Sequence, residues 1–406
     1  MTRKDLTSVG KTKEKSNEPT VLERWLNLTP WTYCAVLLLG FLIVMMAARP
    51  GIGDVIKGRN DYMSFYAGAR LAGTPYLYDT VHVRQEQIKA VGVSGQALQH
   101  FVRLPFYAGL LSPLGKLRYD LSFWIWQSVS LGALLGFIFL WRVPNRQLTI
   151  LACCWSFPLL IIFVRGQDVT LLLLLLSIVF QLWDKRPVVT GLVMSLFAIK
   201  FNLFLMLPLL LLGQRRWKMA LGFLLGCAVL IAVSFAVAGP RWPADMLTAL
   251  SSKAISPRED IMPNFRGLLQ PFTDKLLPEI VLGALAAAFV LIIGNHADFE
   301  YGMAAVIVGS LLVSHHAAPH DAALVIPALL IVVSRTAAKS LNLLCLILFT
   351  PVPFLMLAYG EGLGSLTVLL LSMLLFTMGI ESIQKSVLPA PNRVSKCAPA
   401  SRTQDP

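Results

Sequence analysis

The chain has 406 residues, 56% of them hydrophobic and only 14% charged, a balance that excludes both a water-soluble globular protein and a disordered one. Its formal charge of +13 does not argue for nucleic acid, because the bases sit in the terminal tails and in short turns between apolar runs. The expected fold is an all-α polytopic membrane protein, with room for about ten to twelve spans of about 20 residues each.

Residues 1–30 carry Arg3, Lys4, Lys11, Lys13, Lys15 and Arg24 and read as a cytoplasmic N-terminal tail. The first apolar run, Trp31 to Ala48, follows a polar stretch too long for the n-region of a signal peptide, so a retained anchor is expected. Residues 31–381 form the integral membrane domain, and 382–406, with Lys385, Arg393, Lys396 and Arg402, form a second cytoplasmic tail. Both termini inside require an even number of crossings, and the first span then delivers residues 50–101 to the outer face. Within that extracytoplasmic loop, Tyr62–Leu71 and Val81–Ala90 predict short surface helices, separated by Gly73-Thr74-Pro75 and followed by Gly92 and Gly95.

Further apolar runs follow at Pro105–Leu114, Leu121–Trp141, Leu148–Val164, Val169–Trp183, Val188–Leu212, Met219–Ala238, Ile280–Ile293, Met303–Val313, Ala322–Val333, Leu341–Leu357 and Leu366–Ile380. Arg215, Arg216, Lys218, Arg335 and Lys339 point to the cytoplasm, which places residues 239–279 outside as a second outer loop. Parity between 105 and 212 stays open. If the basic turns at Arg142/Arg146 and Lys185/Arg186 are both inside, Arg165-Gly166-Gln167-Asp168 faces out, the run around Lys200 is broken, and Pro105–Leu114 dips in without crossing.

Asp61 starts an amphipathic stretch in which Tyr62 and Tyr66, four apart, share one helix face. A carboxylate there can take a proton from an acceptor hydroxyl; it equally suits the N-cap of the following helix. Lys200 stands in an apolar run, where an unpaired ammonium costs a few kcal/mol (~2.5–3.5); a lipid phosphate, snorkelling to the interface, or pairing with Asp168 or Asp61 would each satisfy it. Arg165-Gly166-Gln167-Asp168 offers a guanidinium, an amide and a carboxylate where two helices meet, or an ordinary turn. Met262-Pro263-Asn264-Phe265-Arg266-Gly267 supplies groups suited to sugar hydroxyls or phosphate, or a plain loop.

The stretch Ser314 to Asp321 holds His315, His316 and His320, half of the six histidines, at one boundary. Three histidines and an aspartate are suitable zinc ligands, but the spacing matches no common zinc motif, and hydrogen bonding to a polar substrate is the expected role. Five of the six cysteines lie inside apolar runs and Cys397 in the tail, without metal-ligand or disulfide spacing. No glycine-rich phosphate cradle or dinucleotide fingerprint is present, so no nucleotide cofactor is expected.

Taken in order, Asp61-Tyr62 through Tyr66, Gly73-Thr74-Pro75-Tyr76-Leu77-Tyr78-Asp79, Arg165-Gly166-Gln167, Ala198-Ile199-Lys200, Asn264 and the His315–Asp321 cluster resemble glycosyltransferase family 87 of the GT-C superfamily. The likeness runs from about residue 31 to 380. It departs at Arg103-Leu104-Pro105-Phe106-Tyr107, where the family carries a tyrosine-proline-proline stretch. The resemblance implies an inverting transferase in the plasma membrane. Its donor would be a polyprenyl-phosphate sugar, mannose foremost, its acceptor a lipid or glycan on the outer side, with no cofactor or metal. It implies Asp61 as general base, Lys200, Arg165 and Arg266 toward the donor phosphate, and Tyr62, Tyr66, Gln167, Asn264, His315, His320 and Asp321 toward the substrates. A transporter or flippase would also contain an intramembrane lysine and broken helices, and a membrane acyltransferase would make His315 or His320 the indispensable residue.

Overall fold

The computed structural model describes residues 29–56, 60–92, 99–251, 258–360 and 362–387. Most of both tails, Gly58, Arg59, Gly95 and Cys397 lie outside the described residues. The structure is 80% helical and has no strand among the described residues, which makes it an all-α polytopic membrane protein. Helices are the expected solution, because backbone polar groups in hydrocarbon must bond within their own segment.

Among the described residues, six helices are long and apolar enough to span a bilayer: α1 (Pro30–Ile56), α5 (Tyr119–Leu140), α9 with its 3-10 extension (Pro187–Ser195 and Leu196–Phe204), α11 (Trp217–Ala238), α14 (Leu276–His296) and α19 (Gly364–Val387). Two bent helix pairs have the length and composition of a broken span or a re-entrant loop. Helices α6 (Arg146–Trp155) and α7 (Phe157–Arg165) meet at 64°, and α17 (Lys339–Phe349) and α18 (Val352–Tyr359) at 53°. Pro158 and Pro351 stand at these breaks, where proline ends one helix and starts the next. Shorter apolar helices α8 (Val169–Leu182) and α15 (Phe299–Val313) complete the bundle with α10 (Leu207–Gly213) and α16 (Val325–Arg335). Outward side chains such as Leu38, Leu42, Trp124, Leu224 and Val281 are exposed, as a lipid-facing surface requires.

One end of the bundle gathers the basic turns. Gln181 donates to the Leu140 carbonyl and Gln214 to that of Ala297; the Arg216 guanidinium lies over Trp183 and Phe299; and Arg335 pairs with Asp298 and Glu300. Arg142/Arg146 and Lys185/Arg186 therefore belong to the same end, and Arg165 to Asp168 to the opposite one. The run around Lys200 is broken as that arrangement demands. Lys200 has the non-helical angles φ −141°, ψ 64°, and beyond it α10 returns beside α15, with the Met206 amide donating to Ser310.

Helix α4 (Pro105–Gly115), about 16 Å long, is too short to cross. Its first turn meets α11 where the Phe106 amide donates to Ser234 Oγ at 3.2 Å. Its last residue lies against α2 (Tyr62–Leu71), where Arg70 donates to the Gly115 carbonyl at 3.2 Å. The surface helices predicted in the first loop are α2 and α3 (Thr80–Val91). Nearly all of α2 is buried, because α4 and α5 pack over it.

Candidate functional site

Gly166 builds the centre of this region. It takes the left-handed conformation, φ +66°, and ends α7 in a Schellman motif: its amide donates to Phe163 and that of Gln167 to Ile162, which satisfies the last carbonyls of the helix. A side chain at Gly166 would come within 2.9 Å of Tyr62 Cβ, so only glycine fits. Helix α5 fixes the turn further. Trp126 Nε1 donates to the Gly166 carbonyl at 2.9 Å and Gln127 Nε2 to that of Phe163 at 2.7 Å.

The turn aims Gln167 at the first loop, and its Nε2 donates to Asp61 Oδ2 at 2.8 Å. Asp61 occupies the N-cap position of α2 but makes no side-chain cap; the capping acceptor is Asn60 Oδ1, which takes the Tyr62 amide at 3.1 Å. The Asp61 carboxylate is therefore free of the structural task that its position offered. Its Oδ1 makes no hydrogen bond among the described residues.

Behind Gln167 lies a buried ionic cluster. Arg103 grips Asp168 with two hydrogen bonds of 2.9 and 3.1 Å. Lys200 Nζ pairs with Asp321, stands 3.9 Å from Asp168 and 3.3 Å from His320 Nε2. Asp321 also accepts the Ala318 amide at 2.9 Å. Four chain segments thus converge, and Asp61 lies within electrostatic range of the His320 ring. The sequence placed Lys200, Gln167, Asp168, His320 and Asp321 in separate motifs; the fold joins them to Asp61. Arg103 was the member that sequence reasoning missed. Its signal was an arginine between Phe101 and the apolar start of α4, a position that requires a partner.

Arg165 ends α7 exposed, with no ion pair or hydrogen bond of its side chain among the described residues. Among the described residues it is an uncommitted cation close in sequence to Gln167. Arg266, by contrast, pairs with Glu259 at 3.0 Å and faces Glu279 at 4.0 Å, and His315 Nδ1 stands 3.3 Å from the same Glu279. Asn264 caps α13 (Phe265–Leu269) through the Gly267 amide and donates to the Ser314 carbonyl at 2.6 Å, so it ties the second outer loop to the histidine stretch. Tyr62 and Tyr66 turn into the bundle. Their hydroxyls bond Ser122 at 2.5 Å and the Leu117 carbonyl at 2.7 Å, and the Tyr62 ring stacks on Trp126.

In the outer helices, the His82 backbone N–H and then its ring hold the Asp79 carboxyl below the usual range. Burial would raise Glu86, but Lys89 and Arg70 outweigh it and hold that carboxyl low. Among the described residues no group of three or more His, Cys, Asp or Glu side chains could hold a metal ion.

The model of glycosyltransferase family 87 matches residues 101–315, slightly more than half of the chain. The matched stretch contains Arg103, Arg165, Gln167, Asp168, Lys200, Asn264, Arg266 and His315, while Asp61, His320 and Asp321 lie outside it. Neither the curated proteins nor the solved structures gave a match.

Proposed function

The chain belongs to glycosyltransferase family 87 and is a membrane glycosyltransferase; from that premise we propose that it transfers a sugar, mannose foremost, from a polyprenyl-phosphate donor to a lipid or glycan acceptor, with inversion and with Asp61 as general base. The observation that carries this reading is the Asp61 carboxylate. One oxygen is held by Gln167 at 2.8 Å, the other is left for a substrate hydroxyl, and no cap uses either.

The Asp61 carboxylate takes the proton of the acceptor hydroxyl as the hydroxyl oxygen attacks the anomeric carbon. The bond from that carbon to the phosphate oxygen breaks, and the electron pair leaves with the polyprenyl phosphate. Arg165 is the cation available to neutralise the departing phosphate. Lys200 already faces two carboxylates, and Arg266 two glutamates, so they support the donor less directly than their charges suggest. The site lies at the end of the bundle opposite the basic turns, which supports an extracytoplasmic active site in the plasma membrane with cytoplasmic termini. Lys200, being paired, lends no support to an open transport pathway.

The test is transfer from labelled polyprenyl-phosphate mannose to a native membrane-lipid extract by purified protein. Asp61→Asn is expected to lose at least about a hundredfold in rate while remaining folded. Undiminished transfer by that variant overturns the assignment of the base.

A further inference from the structure

We infer that Gln167 is a positioning residue for the Asp61 carboxylate, anchored by the buried Arg103–Asp168 pair, and that it does not bind the acceptor. The inference rests on Asp61 as general base, as proposed above.

Gln167 is only 7% exposed. Its amide N–H is spent on Asp61, and its carbonyl oxygen is buried without a partner. A carboxylate neighbour forces the donor half of the amide toward itself and turns the oxygen away, into protein. That orphaned acceptor costs free energy, and the side chain keeps it for the sake of orientation. Little surface remains for a substrate.

The backbone beneath Gln167 is fixed from both sides. Upstream, Trp126 and Gln127 hold the carbonyls of Gly166 and Phe163. Downstream, Asp168 is fully buried, and the guanidinium of Arg103 locks it through a fork that a lysine cannot reproduce. Arg103 in turn stands just ahead of the N-cap of α4 and receives the Tyr78 hydroxyl at its carbonyl, 2.7 Å away. A displacement at Arg103 therefore reaches Asp61 through the fork to Asp168, one peptide and one hydrogen bond. The effect of the hold is directional: with Oδ2 occupied, Oδ1 alone is presented to the acceptor.

The test uses wild type, Gln167→Met, Arg103→Lys and Asp61→Asn in nanodiscs, with initial rates measured against donor and acceptor and direct titration of polyprenyl phosphate. For Gln167→Met, kcat is expected to fall about tenfold to a hundredfold, with acceptor KM and polyprenyl-phosphate affinity within twofold of wild type. Arg103→Lys is expected to fall in the same direction by a smaller factor, and it carries the test if Gln167→Met does not fold. A raised acceptor KM at unchanged kcat overturns the inference by making Gln167 a substrate ligand. Wild-type kcat in both variants overturns it by making the chain of contacts merely structural. Undiminished transfer by Asp61→Asn marks the separate failure of the underlying assignment.

Discussion

Two ionic clusters stand at the same end of the bundle, and they differ in how much water they see. In the inner one, the side chains of Asp168, Asp321 and Lys200 are 0%, 1% and 5% exposed. In the outer one, Glu279, Arg266, Glu259 and His315 are 12%, 19%, 29% and 57% exposed. Both clusters set bases against carboxylates, but the energetics differ. Desolvated charges must each keep a partner, because several kcal/mol are lost for every ion left alone, whereas rim charges exchange partners with solvent at little cost. The inner cluster is accordingly a joint between chain segments. The outer one dresses the loop that Asn264 fastens to Ser314.

The largest test of this contrast is Lys200→Met, which leaves Asp168 with Arg103 and Asp321 with only the His320 ring beside it among the described side chains. It is expected to cost about 3–5 kcal/mol, read as a marked fall in the melting temperature of purified protein. Arg266→Gln in the outer cluster is expected to cost under about 1 kcal/mol and to leave the melting temperature within a few degrees; an effect equal to that of Lys200→Met would erase the distinction. The smallest effect concerns Glu86, a third case on the surface helices. Its folded-state pKa lies below the ordinary 4.5, so its stabilisation is complete above that value and is lost as the pH falls through the lower folded-state value. Glu86→Gln should lose this part of the acid destabilisation, seen as a flatter melting temperature below pH 4.5.

Fold class was legible from the apolar runs. The break at Lys200 was legible only as a condition: charge left the parity between 105 and 212 open, and a broken run was required only if the basic turns at Arg142/Arg146 and Lys185/Arg186 shared a side, with Pro105–Leu114 failing to cross. What periodicity could not supply was direction. Tyr62 and Tyr66 share a face, as their spacing requires, but only the approach of α5 turns that face inward onto Ser122 and Trp126. Nor could spacing pair Arg103 with Asp168, 65 residues away, because that contact depends on how α4 is laid against the end of the bundle. Asp61 was recognisable as a cap or a base; the Asn60 side chain takes the capping role, which leaves the Asp61 carboxylate without that duty.

The helices α9 and α11 touch backbone to backbone. Gly191 and Gly222 each sit where a Cβ would overlap the main chain of the opposite helix, and Gly226 where it would meet Ser195, the close approach that small residues permit. The broken segment carrying Lys200 is thereby hung from a full-length span and not from the lipid around it. Its height in the membrane is set by protein contacts, so a thicker or thinner bilayer would tilt or stretch the outer helices while Lys200 and its carboxylate partners keep their mutual distances.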